Sequence, residues 1–386
     1  MSMNKKVTWG IIVIIIIVIA VSGVFKKDQG NQISIGLISP LTGSAASYGE
    51  PAMQSVLIAQ NEINQAGGIL GKKLNLIVED GKCDGATSAT VANKLINIDK
   101  VNVILGGHCS TETLAIAPIV EKAKVVIIAS ITSSPAVTNS GSYIFRNSPS
   151  SEFYTAKSAA YAYSQGYRKV AALYENKDFP VGVYKAFLAE FVKLGGQVIS
   201  NDAFNSDVND LRSYILKINK QKPDAILFAS QGAGASVTFY KQMKELGLLS
   251  TYPIIAGAQS LSAAINDQSG GLLNNPRIFT TDAFVSSANS KTAAFIEAYK
   301  TAYKQLPPTN IAYLATSYDA VYLVKEAMES CKSSTDTVCI KNYLAAIKDW
   351  NGAAGSLTLG SNVNPVVPIG LHYFDSKGQE MWQELK

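Results

Sequence analysis

The strongest constraint in this sequence is an alternation of strand-like and helix-like segments that runs through the chain twice. The run ISIGLISP (33–40) is β-branched and stops at Pro40, and the loop LTGSAASYGE follows it. Over residues 51–66, Met53, Val56, Leu57, Ile63 and Ala66 fall at helical spacing, and Gly67 and Gly68 end the segment. KLNLIVED (73–80), VNVILGG (101–107) and VVIIAS (125–130) are further strands, with helices over 86–99 and 111–123 between them. The pattern then restarts. RKVAALYE (168–175), QVISNDAF (197–204), DAILFAS (224–230) and YPIIAGA (252–258) are strands, and helices at 181–196, 209–223 and 235–247 separate them. Repeated strand–helix units with short connections imply parallel sheets with helices on both faces. Two sets imply an α/β protein of two doubly wound, Rossmann-like lobes. Helices at about 291–304, 311–330 and 338–349 come next, and residues 356–382 resemble a β-ribbon. The segment RNSPSSEF (146–153) is the best single boundary between the two sets.

The chain has 386 residues, of which 47% are hydrophobic and 16% charged, a globular composition and not a disordered one. Lys5 and Lys6 precede the charge-free apolar run at 7–25, and Lys26 and Lys27 follow it. A basic flank before such a run marks either a cleaved secretory signal or an uncleaved membrane anchor. Both place the remainder, after the polar linker at 26–32, outside the cytoplasm, with residues 1–6 as the n-region or a cytoplasmic end. The net charge is +5, and the four flanking lysines account for four of those charges, leaving +1. A body so near neutrality carries no electrostatic footprint for nucleic acid.

Four cysteines, Cys83, Cys109, Cys331 and Cys339, suit disulfides in an oxidising compartment. Three pairings are possible; local spacing favours Cys331–Cys339, which leaves Cys83–Cys109, and four free thiols are the alternative. No CxxC is present, and only His108 and His372 could assist a metal, so no metal or cofactor is expected.

In sheets of this kind, ligands bind beyond the carboxyl ends of the strands, near helix N-termini. One such end reads GGHCST (106–111). A hydrolytic nucleophile needs a positioned base and a group that orients that base. His108 lies two residues from Ser110 in a turn, and GxSxG is absent, so catalysis is not expected. Capping and anion binding suit the stretch better. Ser110 is expected to cap the helix at 111–123, whose free amides and dipole favour a carboxylate. Ser133 and Ser134, just before Pro135, would present a second donor cluster.

The stretches IGLISPLTGSAASYGEPAMQSVLIAQNEINQAGGILGKKLNLIVEDGKCD, VNVILGGHCST, SSPAVT and YIFRNSPS resemble the type I periplasmic solute-binding proteins of the branched-chain amino acid class, which serve ABC transporters. The likeness extends from Ile33 to the end and is strongest in the first half. It implies two lobes joined by three crossings, with residues 33–147 and 281–350 in one lobe and 148–280 and 351–386 in the other. It implies a monomer that closes on a small polar ligand, an amino acid in the first instance, and delivers it to a membrane permease. A membrane-tethered sensor is the alternative. The resemblance also supports a Cys83–Cys109 bridge beside the site.

Residue by residue, the resemblance puts Ser110 and Ser133 where the ligand carboxylate binds, and the Ile131 carbonyl where the amino group is accepted. It puts Tyr48 at the pocket border and Phe179 over the ligand. Gln231 stands where an aromatic residue is common. Gln259 stands where amino acid binders carry an acid. An amide brings no charge, so either Glu152 supplies one or the ligand lacks an ammonium, as an amide, urea or short carboxylate would.

Overall fold

The computed structural model describes residues 31–286, 288–360, 365 and 367–385. The apolar run at 7–25, expected to be a signal or an anchor, lies outside the described residues. Among those described, no helix is long and apolar enough to cross a membrane.

The apolar runs of the first half become one sheet. Strands β1 (Gln32–Ser39), β2 (Lys73–Asp80), β3 (Val103–Gly106), β4 (Val126–Ala129) and β5 (Ile144–Arg146) pair in the order β2-β1-β3-β4-β5, parallel throughout. Parallel neighbours need crossovers. Helices α1 (Ala46–Gln65), α2 (Gly85–Asn97) and α3 (Ser110–Ala123) supply them, and a short 3-10 turn, Pro135–Asn139, links β4 to β5. Helix α1 begins five residues before the expected start at 51, because Gly49 and Pro51 in its first turns mask it in the sequence. That extension places Tyr48 at the carboxyl end of β1.

Strand periodicity sends alternate side chains to opposite faces. Ile35, Leu37, Val103, Leu105, Val126 and Ile128 enter one core, and Ile38, Ile104, Ile127 and Ala129 enter another.

The remaining strands are β6 (Lys169–Glu175), β7 (Gln197–Phe204), β8 (Ala225–Ala229), β9 (Ile254–Ala256), β10 (Ile278–Ala283), β11 (Trp350–Gly352), β12 (Gly355–Leu357), β13 (Ile369–Phe374) and β14 (Glu380–Leu385). Seven of them form a second sheet, ordered β14-β13-β10-β9-β8-β6-β7, and among the described residues β11 pairs only with β12. This sheet is not parallel throughout: β10 with β13, and β13 with β14, are antiparallel. The expected terminal ribbon is therefore two hairpins. Ser356 and Leu357 belong to the small one, and 369–385 extends the second sheet.

Helices α4 (Ser151–Ser164) and α5 (Asp178–Lys193) cover one face of this sheet with Tyr154, Phe187 and Phe191. Helices α6 (Arg212–Gln221) and α7 (Ala233–Glu245) cover the other with Ile215, Ile218, Phe239 and Tyr240. The short α8 (Ala263–Ser269), with no counterpart in the sequence analysis, follows β9.

After β10 the chain returns to the first lobe. Helix α9 (Ser290–Tyr303) places Phe295 and Tyr299 against Tyr48 and Ala52. Helix α10 (Ile311–Ser330) buries Val321, Val324 and Met328 against the first sheet, joined by Ile340 and Leu344 of α11 (Thr337–Ala345). Trp350 packs on the same core. The boundary expected between 280 and 281 falls inside β10, which belongs to the second sheet. The one expected between 350 and 351 falls inside β11, which packs on the first lobe.

Candidate functional site

Strand order reverses between β1 and β3 in the first sheet and between β6 and β8 in the second. Such reversals open a crevice at the carboxyl ends of the strands. The loops after β1, β3 and β4 carry Tyr48, His108, Ser110 and residues 131–134; those after β6, β8 and β9 carry Phe179, Gln231 and Gln259.

Seven of these loop residues meet around one tight cavity of about 10 Å³: Tyr48, Ser110, Ile131, Ser133, Phe179, Gln231 and Gln259, with His108 and Thr132 completing its lining. With the lobes in contact, this space holds about one water, and a ligand enters only as the lobes part.

Ser110 does not cap α3 as expected. The N-cap is Cys109, and the helix begins at Ser110. The Ser110 hydroxyl instead accepts from Thr132 Oγ1 at 3.0 Å and from Ser134 N at 3.1 Å, which ties the β3 and β4 turns together. Capping falls to Glu112, whose carboxylate accepts from Cys109 N (3.0 Å) and Cys83 N (2.9 Å). Burial raises this carboxyl to about 7. The two cysteines are joined by a disulfide, as are Cys331 and Cys339. The first-turn amides of α3 have no carbonyl one turn earlier inside the helix, and the helix dipole adds to their pull on an anion.

Ser133 is held from the second lobe. Its hydroxyl accepts from Tyr154 Oη at 2.9 Å and its carbonyl from Ser151 N at 2.7 Å. Tyr48 bridges the cleft. Its phenolic oxygen lies 2.8 Å from Cys109 Sγ and accepts from Gln231 Nε2 at 2.8 Å. Burial, and then the charge of Glu112, raise the Tyr48 hydroxyl far above its ordinary value. The Gln231 amide N–H donates to Glu175 Oε2 at 2.6 Å, which fixes the turn after β8.

Other contacts close the lobes against each other. Thr111 Oγ1 donates to Asp178 Oδ2 at 2.8 Å, Lys177 Nζ to the Cys83 carbonyl at 3.2 Å, and Ala233 N to the Ser44 carbonyl at 3.3 Å. Gly232 is required at this approach: a Cβ there would lie 2.7 Å from the Ser44 carbonyl oxygen.

Two expected residues are elsewhere. Glu152 is exposed in the first turn of α4 and, with Ser134, lines an outer groove beside Asp178 and Lys185. It therefore does not replace an acid at Gln259. The amide of Ser134 is already spent on Ser110.

His108 and Thr132 are the lining residues whose place in the site the sequence analysis missed; His108 is the one with a titratable ring. Its Nδ1 lies 2.9 Å from Ser39 Oγ, while Ser110 is bonded to Thr132 and Ser134, so the two do not form a nucleophile–base pair. Burial pushes the imidazole down to about 3, which keeps it neutral. Its position in the turn after β3, at a strand's carboxyl end, was the available signal.

A family model described as a periplasmic binding protein matches residues 32–367. A leucine-, isoleucine-, valine-, threonine- and alanine-binding protein of Pseudomonas aeruginosa is 26% identical over 304 residues, 78% of each chain. A branched-chain amino acid transporter substrate-binding protein of Streptococcus pneumoniae, solved with isoleucine, superposes with a TM-score of 0.80 at 25% identity, over 92% of this chain and 100% of that one. A solute-binding protein of Rhodopseudomonas palustris solved with benzoate shares the fold, with a TM-score of 0.81 at 19% identity, over 92% and 96%. With nearly its whole described length matched, the chain belongs to the periplasmic binding protein family.

Proposed function

We propose that the protein is the extracytoplasmic solute-binding component of an ABC transporter, and that it captures an amino acid or a related small polar carboxylate between its lobes. The observation that carries this reading is the composition of the cavity: loops from both sheets line it, and hydrogen bonds across the cleft close it. The carboxylate sits at the start of α3 between Ser110 and Ser133, Phe179 covers it, and Tyr48 and Gln231 latch the lobes. Opening breaks these few cross-cleft bonds, and a ligand held by both lobes shifts the population toward closure. The apolar run at 7–25 provides export or tethering. Relatives that bind aliphatic amino acids support the ligand class; one that binds benzoate supports a carboxylate as its shared element.

Thermal melts of the protein with amino acids, short carboxylates and amides test the proposal. A rise in melting temperature with carboxylate-bearing compounds, lost in Ser110→Ala, is expected. Stabilisation only by compounds without a carboxylate contradicts it.

A further inference from the structure

Two buried acceptors at the cavity have no partner among the described residues: His108 Nε2 and Gln231 Oε1. Both side chains are at least nine-tenths buried and both line the cavity. Buried polar atoms are nearly always paired, so two orphans lining one cleft cavity call for a donor there, a water in the empty site or a ligand group that displaces it.

The hydrogen-bond network fixes what each one offers. Ser39 Oγ donates its single hydrogen to the Gly49 carbonyl at 2.8 Å. Its contact with His108 Nδ1 must then be a ring N–H donating to the hydroxyl. A neutral imidazole has one N–H, so Nε2 carries a lone pair. No carboxylate bonds to this ring, and its burial opposes a positive charge. At Gln231, the disulfide sulfur beside Tyr48 has no hydrogen, so the phenol donates to Cys109 Sγ and accepts from the amide nitrogen. The amide oxygen of this cavity-lining residue is left without a partner.

Charge is absent from the lining. None of the nine cavity residues is an acid. The nearby buried carboxylates are spent: Glu112 on Cys83 N and Cys109 N, Glu175 on Gln231 N and Ser206 Oγ, and Asp282 on Tyr313 Oη, Asn310 Nδ2 and Ala283 N. Enclosing an ammonium here without a counter-ion is costly, whereas a neutral donor pays no such penalty. Two acceptors in one small cavity match the two hydrogens of one –NH2 group.

We infer that the ligand is a small carboxylate carrying a neutral –NH2, as a carboxamide or ureido group, whose hydrogens are received by His108 Nε2 and Gln231 Oε1. This rests on the carboxylate site proposed above and adds His108 and Gln231 as its specificity-determining residues.

Calorimetry on the full chain in mild detergent tests this with matched sets. Oxamate, malonamate, succinamate and N-carbamoylglycine carry the group. Pyruvate, acetoacetate, levulinate and N-acetylglycine in turn replace –CO–NH2 by –CO–CH3, and β-alanine, γ-aminobutyrate and the aliphatic α-amino acids carry an ammonium. At least one amide or ureido acid is expected to bind at least ~10-fold tighter than its –CO–CH3 counterpart and than any amine, and His108→Leu is expected to remove the advantage over that counterpart. The chain has two histidines, so 15N-histidine NMR on the wild type gives a second readout. His108 Nε2 should be unprotonated near neutral pH and shift on ligand addition. An α-amino acid binding ~10-fold tighter than every amide, or an unresponsive Nε2 at saturation, overturns the inference and leaves the carboxylate site standing. Failure of every carboxylate to bind overturns both.

Discussion

The side-chain amide of Gln231, in the second lobe, donates to the phenolic oxygen of Tyr48, in the first, across 2.8 Å. Both residues are buried, and each is anchored in its own lobe, Tyr48 by the Cys83–Cys109 bridge and Gln231 by Glu175. This bond therefore ties the ends of the two sheets together, alongside the Thr111–Asp178, Lys177–Cys83 and Tyr154–Ser133 contacts.

Tyr48→Phe removes the acceptor and leaves a buried amide donor unpaired. The cost is about 1–3 kcal/mol, borne by the closed state. Ligand affinity measured by calorimetry is expected to fall roughly 5- to 150-fold, with little change in unfolding of the ligand-free protein. An unchanged affinity means that the latch does not form on the ligand.

Ser110→Ala strands two buried donors, Thr132 Oγ1 and Ser134 N. Each loss costs about 1–3 kcal/mol. Urea unfolding should show reduced stability as well as weaker binding, because this hydroxyl holds two turns in register. Loss of binding with full stability would place Ser110 on the ligand alone.

The bridges close loops of different length, with sequence separations of 26 for Cys83–Cys109 and 8 for Cys331–Cys339. Chain entropy predicts losses of about 3–4 and about 2–3 kcal/mol on removal. Cys83→Ala/Cys109→Ala should also weaken binding, since Tyr48 rests on that bridge; Cys331→Ala/Cys339→Ala should not. Denaturant melts and calorimetry on the two double variants check this.

His108 titrates at about 3 when folded and near 6.5 when unfolded. The unfolded chain therefore binds the extra proton first, and stability is lost as the pH falls from 6.5 toward 3. Between pH 6 and pH 4 the wild type should lose roughly 3 kcal/mol relative to His108→Leu. Glu112 and Asp319, which burial raises to about 7, act in the opposite sense in both proteins and cancel in the difference. Urea melts at several pH values, wild type against variant, report it; a flat difference contradicts a buried neutral imidazole.

In the first sheet, β1, β3 and β4 were legible because parallel, doubly covered strands are continuous apolar runs, and β2 by its alternation; the three-residue β5 was not, since it is too short to show a period. The loops that line the cleft were legible because they follow strand ends, where such sheets leave a crevice; Tyr48, Ile131, Phe179, Gln231 and Gln259 were singled out within them by the family resemblance. What sequence did not show is tertiary in origin. Ile278–Ala283 has no local signal that sets it in the second sheet, and its partner, Ile369–Phe374, lies some ninety residues on. Ser110 resembled a cap by residue type, yet Glu112 reaches back to take that role. Glu152 is close to the site in sequence, but helix α4 turns it outward to solvent.

The most direct test of the account is a crystal structure of the protein with a ligand found by the thermal screen. Density is predicted between Ser110, Ser133, Phe179 and Gln231, with the ligand carboxylate against the first-turn amides of α3. A ligand seated only in the outer groove beside Glu152 and Lys185, or an empty cleft between lobes at full occupancy elsewhere, would contradict it.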